Sequence, residues 1–179
     1  MKKLVFFASL LILATSVLVS CGKDDSPAPG NEVAILQMSI NAALVESNVI
    51  FSRDQTKQLA DVLSAANKDK ANYVKSGEIE YSDSYITIQG LKAGESLNNL
   101  TINLMNGQSI ATPLNLGKIT ADSDAPIKTS TNSVTTFLNT VVNNLASKKS
   151  VTIQVVMAGG DKDLSNISIT LYSKATYSW

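Results

Sequence analysis

The sequence predicts a mainly β protein, an antiparallel β-sandwich with two short helices. Three observations lead there. Several short segments carry apolar residues at every second position, a hairpin signal follows one of them, and only two stretches keep a helical period. The alternative that the same pattern allows is an α+β fold with the helices on one face of an antiparallel sheet.

From Ala34 the even positions are apolar (Ala34, Leu36, Met38, Ile40), and Gln37, Ser39 and Asn41 alternate with them. A period of two marks a half-buried strand. Leu100, Ile102 and Leu104 alternate with Thr101 and Asn103 in the same way, and Asn106-Gly107 follows as a type I′ hairpin signal. Pro113 restricts the next strand to an edge or a short piece. Val151, Ile153 and Val155, then Ile167, Ile169 and Leu171, define two more strands around a loop at Ala158–Asp163.

Two stretches have the helical period. Val134, Phe137, Leu138, Val141, Val142 and Leu145 form a stripe with spacing near 3.6, and Asn132 or Ser133 can cap its start. A second helix is expected over about Asp54 to Asn67, with Leu59, Val62, Leu63 and Ala66 inward and Ser52 and Gln55 spaced as a capping box. A weak internal repeat links the two halves. Ile86-Thr87-Ile88-Gln89 matches Val151-Thr152-Ile153-Gln154, and Leu97, Asn99, Ile102 and Leu104 match Leu164, Asn166, Ile169 and Leu171. Duplication explains the match, and so does the pattern common to all alternating strands.

The first residues carry an address. Lys2 and Lys3 precede an uncharged stretch from Leu4 to Val19, which at ~1.5 Å per residue is too short for a ~30 Å hydrocarbon core. It has the form of a signal peptide. The stretch ends in Leu18-Val19-Ser20-Cys21, which resembles the lipobox of bacterial lipoproteins. The resemblance implies cleavage before Cys21, acylation (palmitate among the chains) of that cysteine, and attachment to the outer membrane. Cys21 is the only cysteine, so no intrachain disulfide is available. Lys23-Asp24-Asp25 resembles the acidic export signal of Bacteroidetes surface lipoproteins, which implies display at the cell surface; the periplasmic face is the alternative. The expected organisation is a signal peptide over 1–20, a lipidated cysteine and flexible tether over 21–31, and one β-rich domain over 32–179.

Chemistry is thinly represented. The chain has no histidine, which removes the usual general base and the commonest metal ligand. Without residues 1–20 it has thirteen basic and fifteen acidic residues, a balance that disfavours nucleic acid as a partner. Glu78 and Glu80 share a strand face, as a glycosidase pair would, but solvated strand carboxylates are far commoner. Asp122 with Asp124 and Asp161 with Asp163 offer too few oxygens for calcium by themselves. No enzyme activity, metal or cofactor is expected. The expected role is a non-enzymatic binding module for a glycan, peptide or protein, or else a structural accessory subunit of an outer-membrane complex. Tyr81, Tyr85, Gln89 and Tyr172 are the candidate ligand contacts, because their parity faces them outward beside hydroxyl and amide groups.

Overall fold

The computed structural model describes residues 26–179. The expected signal peptide, Cys21 and the expected export signal at Lys23-Asp24-Asp25 lie outside the described residues. The order of elements is β1 (Asn31–Val45), β2 (Phe51–Gln58), β3 (Ser76–Gln89), β4 (Ser96–Asn106), β5 (Ser109–Thr120), β6 (Ile127–Thr129), α1 (Asn132–Lys148), β7 (Ser150–Gly159) and β8 (Leu164–Ser178).

The strands form two antiparallel four-stranded sheets, in the orders β1-β8-β3-β6 and β2-β7-β4-β5. The alternation seen in the sequence decides which side chains meet between them. Leu36, Met38 and Ile40 of β1, Ile86 and Ile88 of β3, and Ile167, Ile169 and Leu171 of β8 are buried on one side. Leu100, Ile102 and Leu104 of β4 and Val151, Ile153 and Val155 of β7 are buried on the other. Most outward positions of the same strands are polar, the hydrophobic-in, polar-out pattern of a sandwich, with Val33 and Ile35 of β1 among the exceptions.

The six expected positions of α1 are all buried. The helix packs on β3 and also reaches β5, β7 and β8, so it touches strands of both sheets. Its approach to β3 needs a glycine: a Cβ on Gly77 would stand 2.8 Å from Val142 Cγ1 and 3.1 Å from the Tyr177 ring. Thr131, rather than Asn132 or Ser133, is the N-cap residue, and its side chain makes no capping hydrogen bond.

The helix expected over Asp54–Asn67 does not form. Phe51–Gln58 is strand β2, paired with β7 over eight residues, and only a short 3-10 turn follows at Leu59–Asp61. Ser52 and Gln55 are therefore ladder residues and not a capping box. Without β2, the edge of β7 would lack backbone partners, and that tertiary demand overrides a weak local period. Leu59 and Leu63 are buried all the same, through the turn. Among the described residues there is thus one α-helix, not the two expected, with a second 3-10 turn at Lys68–Tyr73.

The hairpin after β4 forms with a shifted turn. Asn106 pairs with Ser109, so Gly107 and Gln108 are the central residues, and Gly107 has φ 62°. A positive φ at the first central position is the type II′ requirement. Pro113 lies in β5, an edge strand, as expected. The repeat has a structural counterpart. Its matched strands are β3 with β7 and β4 with β8, and β3 pairs with β8 while β4 pairs with β7. Exchanging the halves exchanges the sheets, since β1-β8-β3-β6 then falls on β5-β4-β7-β2.

Candidate functional site

The outer face of the β1-β8-β3-β6 sheet holds most of the expected contacts. Register places Gln37, Tyr172 and Tyr85 in one row across β1, β8 and β3. The Tyr85 and Tyr172 rings stack with centroids 4.8 Å apart and planes 14° from parallel. Lys128 of β6 places its Nζ 3.7 Å from the Tyr85 ring centroid, on a strand beside β3. Tyr172 and Lys128 thus both use the Tyr85 π-face. The pair is a cross-strand stack within the sheet.

Tyr81 and Gln89 do not join that stack. Tyr81 is exposed and lies where the β3 register breaks between Ile79 and Ser84. The break keeps β3 one strand, so Ser82-Asp83-Ser84 is a bulge and not a hairpin; Ser84 Oγ donates to Glu80 O at 2.9 Å across it. Gln89 lies at the far end of β3, opposite Ser168.

The carboxylate pairs have structural partners. Glu80 accepts from Lys174 Nζ at 2.7 Å, while Glu78 is exposed opposite Thr176. Asp124 Oδ1 accepts the Ala93 N–H at 2.8 Å, and Asp163 Oδ1 accepts the Ser47 N–H at 2.7 Å, which is loop-closing chemistry. Glu95 pairs with Lys162 at 3.2 Å. Among the described residues no group of three or more acidic side chains is placed to hold a metal ion.

Two concave sites emerge that the sequence does not reveal. One lies where β1 passes β2, has a volume of about 380 Å³, and is lined by Asn41, Arg53 and Asn166 among others. Arg53 Nη1 donates to Asn41 O at 3.0 Å, so this guanidinium is already engaged with the wall. The other, about 440 Å³, is a groove between edge strand β5 and the first turns of α1. Pro113, Leu114 and Phe137 supply its apolar surface. Thr112, Asn115, Asn132, Ser133, Thr136 and Thr140 supply hydroxyls and amides, and no charged residue lines it. Pro113 and the Asn132-Ser133 helix start are each visible in the sequence, but the fold alone brings them together.

No family model matches the chain, and no curated protein does. Among solved structures, it is similar to one of desmodium yellow mottle tymovirus at 12% identity and TM-score 0.39, covering 88% of this chain and 91% of that one. It is similar to a decameric BFDV capsid protein at 8% identity and TM-score 0.36, covering 83% and 98%. A third structure, of infectious bursal disease virus strain Gx, has 13% identity and TM-score 0.29, covering 87% of this chain and 37% of that one. TM-scores this low do not establish a common fold, and nothing about function follows from them.

Proposed function

We propose that this chain is an outer-membrane lipoprotein, held by lipid on Cys21 and displayed at the cell surface, whose domain is a non-enzymatic binding module. The groove between β5 and α1 is its docking site, and a neutral, polyhydroxylated glycan is the ligand class that suits it. The observation that carries this reading is the groove's lining: six hydroxyl or amide side chains beside an apolar surface, without a charge. Apolar walls with a few convergent polar groups are the usual makeup of ligand sites, and uncharged donors and acceptors suit hydroxyls better than ions.

The test is retention of the Cys21–Trp179 chain on a broad glycan array. Thr136 is exposed on α1 and lines the groove, so Thr136→Trp fills the site from a surface position. Retention should fall about tenfold or more while the melting temperature moves little. A wild-type chain that retains no glycan, or a variant that retains as well as wild type, overturns the groove reading. Surface display has its own test. Protease added to intact cells should digest the wild type and spare a Lys23-Asp24-Asp25 triple-alanine variant; equal digestion contradicts the export signal.

A structural accessory role is the second reading, and one observation favours it. Edge strand β1 is fifteen residues long, and Val33 and Ile35 are about half exposed on it. A long apolar edge is a template for pairing with another chain. Crosslinking on intact cells that captures one stable outer-membrane partner through β1, with no glycan bound, would favour this reading.

A further inference from the structure

The two sheets have edges at β1, β6, β2 and β5, and all but β1 are guarded. β6 is only three residues long, β2 carries Arg53, Asp54 and Lys57, and β5 holds Pro113 and shifts register along β4. Shortness, charge, proline and bulges are the means by which sheet edges avoid pairing with other chains. β1 has none of them. Its pairing with β8 keeps one register throughout, and its residues from Val33 to Val45 include no charge and no proline.

Hydrogen bonding decides what the open side of β1 offers. Gly30 N–H donates to Trp179 O at 3.1 Å, and Trp179 N–H to Gly30 O at 3.0 Å, so this pair exchanges both backbone bonds. Such pairs alternate along an antiparallel ladder. The even residues of β1 therefore bond β8, and the odd ones turn their N–H and C=O groups out of the sheet edge. Arg53 obeys this parity, since its Nη1 donates to the carbonyl of Asn41. Among the described residues, nothing comparable reaches the backbone of Val33, Ile35 or Gln37, and β8 is the only strand paired with β1.

The side chains of the same stretch are complementary to themselves. Asn31, Val33, Ile35 and Gln37 are all exposed on the outer face, and they read amide, β-branched, β-branched, amide. Antiparallel pairing of this segment with a second copy of itself, centred on Ala34, sets Val33 against Ile35 and Asn31 against Gln37. Apolar then meets apolar and amide meets amide. All four residues are odd, so each opposing pair can exchange both backbone bonds, about eight in all. Shifting the pairing by two residues in either direction opposes an amide to Val33 or Ile35. Glu32, the one charged residue of the segment, has the parity of the core residues and is held by Ser64 and Asn67.

We propose that β1 is a self-association edge: two copies of this chain pair antiparallel through Asn31–Gln37 and join their β1-β8-β3-β6 sheets into one. The occupant is a second copy because the segment matches itself in side chains and in hydrogen bonds and has no outward charge to repel its like. The proposal does not rest on the glycan reading. β2 is the strand of the other sheet that lies against β1, and β5 is at that sheet's far edge, so both β5–α1 grooves stay open in the pair.

The test uses the chain from residue 21 onward with Cys21→Ser, which removes the only cysteine and with it any disulfide dimer. One strand pair is a small interface, so sedimentation equilibrium should show a reversible dimer with Kd on the order of 10–100 μM. Ile35→Lys changes an exposed side chain. It sets two like charges near the axis of the pair and should weaken the dimer about tenfold or more, with little change in melting temperature. Amide hydrogen exchange reads the register. Protection at Val33, Ile35 and Gln37 should rise with protein concentration, while Ala34 and Leu36, bonded to β8, are protected at every concentration. A chain that stays monomeric to about 500 μM overturns the proposal and leaves the edge to a different protein, as the accessory role requires. A dimer in which these three amides gain no protection, or one that Ile35→Lys leaves as tight, overturns it as well. Should the variant fold poorly, the exchange comparison on the unsubstituted β1 decides alone.

Discussion

Asn99 and Asn166 share a left-handed backbone, with φ 52° and 57°, at positions that the internal repeat places in register. Asn99 lies where the β4 register breaks after Leu97, and Asn166 lies near the start of β8, after buried Leu164. Asparagine is among the few non-glycine residues that adopt this conformation without large strain. The same special residue in equivalent places of exchanged sheets is more than shared alternation requires, and it favours duplication as the origin of the two halves. Substitution should reveal the equivalence. Asn99→Ala and Asn166→Ala should each cost about 1 kcal/mol, and the glycine variants should cost less than the alanine ones. Denaturant unfolding of the four variants checks this; alanine and glycine behaving alike would contradict it.

The stack between Tyr85 and Tyr172 belongs to the sheet. A double-mutant cycle on Tyr85→Ala and Tyr172→Ala should give a coupling of about 0.5–1.5 kcal/mol. Thermal unfolding of the three variants measures it. Zero coupling, together with loss of glycan retention in Tyr85→Ala, would return these residues to the role of ligand contacts.

Tyr177 is fully buried, and its hydroxyl has no hydrogen-bond partner among the described residues. Burial accordingly pushes the phenol well above its ordinary range. Removing an orphaned buried hydroxyl relieves its desolvation, so Tyr177→Phe should be neutral or stabilising by up to about 1 kcal/mol. A clear loss of stability on chemical unfolding would mean that the hydroxyl has a partner.

Glu32 joins β1 to the turn that follows β2. Its Oε1 accepts the Ser64 N–H at 2.8 Å and its Oε2 accepts from Asn67 Nδ2 at 2.8 Å. Burial alone would raise its carboxyl, but the bonds from Ser64 and Asn67, with Lys70 nearby, outweigh burial and leave it below the usual 4.5. The folded state therefore binds its proton later than the unfolded chain does. Its stabilisation is present above pH 4.5 and is lost as pH falls through the lowered value. Glu32→Gln should narrow the stability difference between pH 7 and pH 3; an unchanged difference would show that Glu32 is not a source of acid sensitivity.

The legible parts of the fold were those where local pattern and tertiary demand agree. Ala34 to Ala42, Leu100 to Leu104 and Ile167 to Leu171 alternate because one face is core, and α1 keeps its period because one stripe is core. The stretch from Asp54 to Asn67 misleads because Leu59 and Leu63 are buried by a turn, while the polar residues before them answer to the open edge of β7. Ser82-Asp83-Ser84 has turn composition but occupies a bulge, where polar residues suit a strand that is locally unpaired. For the candidate contacts, parity places Tyr85 and Tyr172 outward but cannot give the register that stacks them. The β5–α1 groove has no local signature, since Thr112 and Thr136 meet only through the packing of a helix against a sheet edge.

Whether the domain is carried on a lipidated Cys21 is read by metabolic labelling with an alkyne analogue of palmitate. The wild-type chain should take up label and fractionate with membranes. Cys21→Ala should take up none and either appear in the soluble fraction or remain unprocessed. Label that persists in Cys21→Ala, or a wild-type chain without label, would contradict the account.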